Sequence, residues 1–285
     1  MRNMSFIDHI KNCTAHNKTQ FTDFCIDHRH VGEVRQDSLE ILLETSDFLL
    51  ENKMLVLAPF LNSAQARTKA LKQAINLLAA HHNVKLTGEI YPVIEKWGDT
   101  PYAEIDRAAI PWFGTKGFGV HANGFVRKKE EIYLWIAKRD SSRLIDPNKL
   151  DNMVGGGLPL GLTIEENLAK EAWEEAGLDK KLISLAISTG SLSYKRDMMK
   201  GVRRDTLFTF DLEMPDDITP ACTDGEVESF TLMPAQEVAK IVEATDQFKF
   251  NCNLVLIDFF LRHNIISTAH KDYDALEKAI GLMKK

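Results

Sequence analysis

Glu171, Glu174 and Glu175 stand in the run Lys170-Glu171-Ala172-Trp173-Glu174-Glu175-Ala176-Gly177-Leu178, shortly after Gly155-Gly156-Gly157-Leu158-Pro159-Leu160-Gly161. On a helix, the spacing i, i+3, i+4 throws the three carboxylates onto one side. Like charges so placed repel by about 0.2–0.5 kcal/mol per pair unless something compensates. A divalent cation compensates well. Mg²⁺ suits the role, with Mn²⁺ as an alternative, because it takes oxygen ligands and keeps waters that a diphosphate can replace. Gly155, Gly156 and Gly157 let the backbone approach a ligand closely, and their N–H groups suit an anionic oxygen. Together these residues spell metal-assisted hydrolysis, in which the cation neutralises charge and orients a water.

An isolated Glu-Glu pair on a helix is ordinarily a solvated acidic face, so the surroundings decide. Thr163 with Glu166 three residues on forms a capping box that starts a helix. Gly177 supplies a residue that ends it. With Leu168 at zero and about 100° per residue, Ala172, Ala176, Ala169 and Trp173 fall between roughly 0° and 140°, a core face. The glutamates fall between roughly 240° and 340°, beside that face.

Other residues are candidates on weaker grounds. Glu226 lies in a glycine-containing turn entering a strand and offers an extra ligand or base. Lys195, Arg196, Lys200, Arg203 and Arg204 crowd one loop of an otherwise acidic chain. Arg203 and Arg204, with Tyr194 and with Lys170 beside the glutamates, are the candidate contacts to a diphosphate. Trp112, Phe113, Phe118 and Tyr194 can stack on a heteroaromatic ring or simply pack in a core. Cys13-x2-His16 and Cys25-x2-His28 have a spacing that suits no common zinc finger. His81-His82 closes a helix, where a histidine serves as a helix-end cation.

These residues need elements to hold them. Residues 1–112 read as a small α+β domain: Leu55-Val56-Leu57-Ala58 is a short buried strand stopped by Pro59, and Asn62-Ser63 caps a helix from Ala64 to about His81. Near Ala108-Ala109-Ile110-Pro111-Trp112-Phe113-Gly114 the texture changes, and residues 113–285 form a second domain. There Gly119 to Val126 and Ile132 to Ala137 read as a hairpin, followed by strands at Ile187 to Tyr194, Asp205 to Leu212 and Val227 to Leu232. A helix from Pro234 to Val242, a buried helix from Cys252 to Leu261 and an amphipathic segment from Asp274 to Lys284 complete the pattern.

The chain has 285 residues, 44% of them hydrophobic, enough to bury sizeable cores in two domains. Its net charge of −6 gives no support for nucleic-acid binding. Apolar stretches such as 254–261 are broken by Asp258, so no membrane span is expected. Met1 to Ser5 lacks the apolar core of a secretory signal. Four scattered cysteines, Cys13, Cys25, Cys222 and Cys252, suit reduced thiols in a cytoplasmic protein. The expected partner is a small-molecule diphosphate, and the protein is expected to be a monomer or a homodimer.

The segment from Gly156 to Leu178 resembles the Nudix box, G-x5-E-x7-REUxEExGU, with Gly156 as its first glycine. It departs twice: Leu162 stands where the first glutamate belongs, and Lys170 replaces the arginine. Lysine keeps the charge but loses the bidentate fork. In that family the missing pair mainly braces the loop and helix, whereas the metal-binding glutamates map onto Glu171, Glu174 and Glu175. The likeness extends from about Gly119 to Leu261 and is similar to the Nudix module associated with thiamine pyrophosphokinase. The N-terminal half, with Tyr91-Pro92-Val93 and Pro111-Trp112-Phe113-Gly114, resembles the domain that precedes that module. The resemblance implies an α/β/α sandwich with a mixed sheet, cleaving thiamine diphosphate or its oxidised or toxic analogues to the monophosphate. Two other readings stand beside it: a hydrolase of damaged nucleoside diphosphates of the 8-oxo-guanine type, and a diphosphate-binding module without turnover. Leu162 favours the last, and the intact glutamate set speaks against it.

Overall fold

The computed structural model describes residues 4–143 and 145–284. Met1 to Asn3, part of the stretch read above for a leader, lie outside the described residues.

The first part of the chain contains α1 (Phe6–Thr14), β1 (Phe21–Ile26), β2 (Arg29–Arg35), α2 (Gln36–Leu43), β3 (Phe48–Glu51), β4 (Met54–Leu57), α3 (Ala64–His82), β5 (Ile90–Val93), β6 (Ala103–Asp106) and α4 (Ile110–Phe113). Its sheet runs β2-β1-β4-β3, and β5 pairs with β6 as a separate ribbon. The pairing of β1 with β4 is parallel, which is why a helix, α2, intervenes between them. Ser63 caps α3 by accepting the Ala66 N–H, and Asn83 ends it in the left-handed region. Leu71, Ala74, Ile75 and Leu78 of α3 share an apolar core with Phe24, Phe48 and Phe113.

The second part contains β7 (Lys116–Lys128), β8 (Glu131–Arg139), β9 (Leu150–Asp151), β10 (Val154–Gly157), α5 (Ile164–Ala176), α6 (Lys180–Ile183), β11 (Ile187–Met198), β12 (Gly201–Glu213), β13 (Val227–Pro234), α7 (Ala235–Ala244), α8 (Cys252–Arg262) and α9 (Tyr273–Met283). The sheet runs β11-β12-β7-β8-β13, with β10 added to β7 and β9 to β8. It is mixed, because β12 and β7 run parallel while β10, β8 and β11 pair antiparallel. On one face Leu168, Ala172 and Ala176 of α5 pack against Val120, Ala122, Val154 and Phe210. On the other, Leu254 to Phe260 of α8 and Leu276 and Ile280 of α9 meet Phe125, Leu134 and Leu207. The result is the expected α/β/α sandwich. No helix among the described residues is long and apolar enough to cross a membrane.

Two helices help to join the parts. Helix α1 leaves the N-terminal sheet and places Phe6, Ile10 and Cys13 in the core formed by α8 and α9. Helix α4 packs on both β2 and β12. Gly201, at the start of β12 with φ 154°, makes the second contact feasible: a Cβ there would lie 1.9 Å from the Pro111 carbonyl oxygen.

The basic stretch expected as a loop is a β-hairpin instead. Lys195 pairs across from Arg204 and Arg196 from Arg203, so β11 and β12 continue to Met198 and Gly201. The pattern hides the strands because several of the positive charges are absorbed by neighbours from elsewhere in the chain. Lys195 meets Glu33 at 2.7 Å, and Lys200 donates to the His82 carbonyl. Burial, with His81 and Lys200 beside it, holds His82 below the usual histidine range, which disfavours it as a helix-end cation.

Candidate active site

The capping box forms as the sequence requires. Thr163 Oγ1 accepts the Glu166 N–H, the Glu166 carboxylate accepts the Thr163 N–H, and Gly177 ends α5 in the left-handed region. The helix therefore starts at a fixed distance from β10, and its inward side chains meet the glycines. A Cβ on Gly156 would sit 2.1 Å from the Glu171 carboxyl, so the missing side chain is what admits Glu171. Asn167 Nδ2 ties the helix to the strand through the Gly157 carbonyl, 2.9 Å away.

The buried side of α5 holds Leu168, Ala172 and Ala176 as expected, but it is turned away from Trp173 and toward Glu175. Trp173 is 55% exposed, whereas Glu175 is only 6% exposed. The wheel explains it: at about 340°, Glu175 lies between Glu171 and Leu168 at the centre of the inward face, and Trp173 at about 140° lies beyond its edge. Hydrophobicity suggested otherwise. Packing follows the angle.

Glu175 Oε2 accepts the Gly155 N–H at 2.6 Å. That N–H, expected to face a phosphate oxygen, is committed to the glutamate instead. Burial, with Asp151 and Glu171 nearby, pushes the Glu175 carboxyl up to about 8, despite the Gly155 bond and Lys249. Burial likewise raises Glu171. Lys170 Nζ reaches Glu171 at 3.2 Å and Glu174 at 2.5 Å, so the lysine in the arginine position links two of the three glutamates. A buried carboxylate that favours its proton among other carboxylates lacks positive charge. Glu171 and Glu175 offer carboxylate oxygens of the kind a hard divalent cation takes, while Glu174 is tied to Lys170.

Sequence reasoning missed the group behind Gly155. His121, Asp151 and Cys252 are all buried, with potential ligand atoms within 4.8 Å of one another. Asp151 already has Arg139 at 2.9 Å and Lys249 at 3.2 Å, and these hold its carboxyl down at about 2 against the effect of burial. Cys252 Sγ donates to Asp151 at 2.5 Å, and burial presses His121 down to about 4, leaving a neutral ring. The available signal was polar residues at alternate positions, His121 and Asn123, in an otherwise apolar strand.

The remaining candidates divide. Arg203 Nε donates to Asp205 at 2.8 Å, and the Arg203 charge bears on Tyr91 and Arg107 near the glycines. Tyr194 is beside it, but its hydroxyl is spent on Asp205 at 2.6 Å and its ring on Phe250. Arg204 forms a bidentate pair with Glu95, 2.5 and 3.0 Å, and so clasps the N-terminal module. Glu226 pairs with Arg143 at the start of β13. Trp112 and Phe113 are core residues of the N-terminal module, and Phe118 packs with Ile94 and Leu158.

Comparison with known proteins fits this geometry. A family model described as NUDIX domain matches residues 117–254, and one described as a domain of unknown function (DUF4743) matches residues 5–117. The chain is 37% identical to Nudix hydrolase 24, chloroplastic, of Arabidopsis thaliana over 258 residues, covering 89% of this chain and 71% of that protein. The chain belongs to the Nudix hydrolase family. Nudix hydrolase 20, chloroplastic, of the same plant is 36% identical, over 94% of this chain and 75% of its own length. A solved structure from Deinococcus radiodurans is similar with a TM-score of 0.43 and 23% identity, over 59% of this chain and 97% of that one. As a Nudix hydrolase, the protein acts on diphosphate linkages with a divalent metal ion.

Proposed function

We propose that this Nudix hydrolase is a Mg²⁺-dependent diphosphatase that cleaves thiamine diphosphate, or its oxidised or toxic analogues, to the monophosphate. The observation that carries the diphosphatase reading is the buried Glu175 carboxyl, bonded to the Gly155 N–H at 2.6 Å, with the Glu171 carboxyl seated in the space that Gly156 leaves. The thiamine-type substrate is supported by the resemblance of residues 119–261, and of the half before them, to the module associated with thiamine pyrophosphokinase.

Glu171, Glu174 and Glu175 would hold the cation. When bound, it supplies positive charge against the bridging and terminal phosphate oxygens and acidifies a water. The protein's own residues do the rest. Gly155 fixes Glu175, Lys170 holds Glu171 to Glu174, and Asn167 locks the helix to the glycine strand. Leu162 does not loosen the arrangement: it packs beside Leu158, Phe118 and Ile94, and Leu160 N–H bonds the Ile90 carbonyl at 2.9 Å. The N-terminal module thereby braces the loop that the family's glutamate steadies, which speaks against the reading as a binding module without turnover.

The test is turnover with Mg²⁺ on a panel of thiamine diphosphate, oxythiamine diphosphate, and normal and 8-oxo-guanine nucleoside di- and triphosphates. Release of the thiamine-type monophosphate is expected. Turnover of guanine species alone would overturn the substrate assignment, and binding of a panel member without phosphate release would overturn the reaction.

A further inference from the structure

One buried group at the glycine strand has no partner, and it comes from the N-terminal module. Tyr91 of β5 is 2% exposed, yet its hydroxyl makes no hydrogen bond. Burying an unsatisfied hydroxyl is unfavourable, and a phenylalanine would remove the penalty without loss of packing. The hydroxyl stands where a side chain of Gly157 would be, because a Cβ there would lie 1.9 Å from Tyr91 Oη. The same Cβ would lie 3.4 Å from the Arg107 guanidinium carbon.

Arg107 follows β6 in a short 3₁₀ turn, and its Nη1 donates to Glu89 at 2.7 Å. Its charge acts on the Glu171 carboxyl, and Tyr91 in turn lies within the field of Glu171. Gly156 turns toward Glu171 and Gly157 toward Tyr91 and Arg107, so these two stand on the other side of the glycine strand from Glu171, close enough to share its field. Burial keeps the Tyr91 hydroxyl protonated, so it is a standing donor. A donor without an acceptor next to a guanidinium is complementary to a phosphate oxygen.

We infer that the N-terminal module completes the substrate site, with the Tyr91 hydroxyl and the Arg107 guanidinium binding a phosphoryl group of the diphosphate from the side of Gly157. This rests on the reading of the glutamates as a diphosphate site. It gives the N-terminal module a direct part in substrate binding, and it assigns Gly157 a role in making room for Tyr91.

The test uses the full chain, Mg²⁺ and methylenediphosphonate, a diphosphate analogue that cannot be hydrolysed. Binding is followed by calorimetry and folding by thermal melting, for the wild type, Tyr91→Phe and Arg107→Gln. Each variant is expected to bind about tenfold more weakly, the scale of one hydrogen bond to a charged group. The Tyr91→Phe protein is expected to melt at the same temperature as the wild type or higher, which a structural role for the hydroxyl would not allow. Affinities within twofold of wild type in both variants would overturn the inference alone, as would a lowered melting temperature in Tyr91→Phe with unchanged binding. Failure of the wild type to bind the analogue would overturn the diphosphate site itself and the inference with it.

Discussion

Glu175 combines two properties that rarely share a residue: it is central to the buried face of α5, and it is acidic. Replacing it with glutamine keeps size and an acceptor for the Gly155 N–H but removes the charge. We expect Glu175→Gln to lower kcat by about two orders of magnitude or more, as when a metal ligand is lost, with the fold intact by circular dichroism. Near-normal turnover would count against the mechanism. Gly156→Ala tests the same site by volume. Its φ is not in the left-handed region, and the atoms a Cβ would meet belong to the flexible end of Glu171. The melting temperature should therefore change little while kcat falls at least tenfold, because Glu171 must move to make room. If activity survived in Gly156→Ala, the position of Glu171 would not matter to the reaction.

At the level of elements, α5 and β10 act as one unit whose geometry was largely written in local sequence. Thr163, Glu166 and Gly177 set both ends of the helix, and the spacing of the glutamates placed them on one side. What could not be read locally is what lies opposite. The helical wheel and its hydrophobicity predict Trp173 inward, yet the face is decided by its fit to β10, where glycines leave space for carboxylates. The alternation of β11 and β12 was masked for a related reason: the partners of Lys195 and Arg204 are Glu33 and Glu95, over a hundred residues away. Leu162 is the clearest case, since a departure from the family pattern makes sense only beside Ile94 and Phe118. We expect Leu162→Glu, which restores the family residue, to destabilise the protein by about 1 kcal/mol, the scale of one partly buried apolar side chain. Denaturant unfolding would show it, and a stability gain would mean that the contact with the N-terminal module has no bracing effect.

Across the whole molecule, the two parts are held by ionic contacts as well as by the seat of α4. Glu33 of β2 is buried between Lys18 at 2.8 Å and Lys195 of β11 at 2.7 Å. Burial alone would raise its carboxyl, but the lysines outweigh it and bring it to about 2, below the ordinary value of 4.5. The stabilisation is therefore complete above about pH 4.5 and is lost as pH falls from there toward 2. Glu33→Gln is expected to cost about 2 kcal/mol at pH 7, the scale of hydrogen bonds to a charged group, and the gap from wild type should narrow as pH falls below 4.5. A gap constant with pH would show that the carboxylate charge is irrelevant to the junction. The packing of α1 on α8 and α9 has a different consequence, one of timing. Residues 6–14 and 273–283 line the same apolar core, so that core cannot close before residues 273–283 have been synthesised. Until then the apolar side of the sheet that faces α8 lacks the cover of α9, which makes the closing of this core a late step of folding and its apolar surface exposed to misassembly in the meantime.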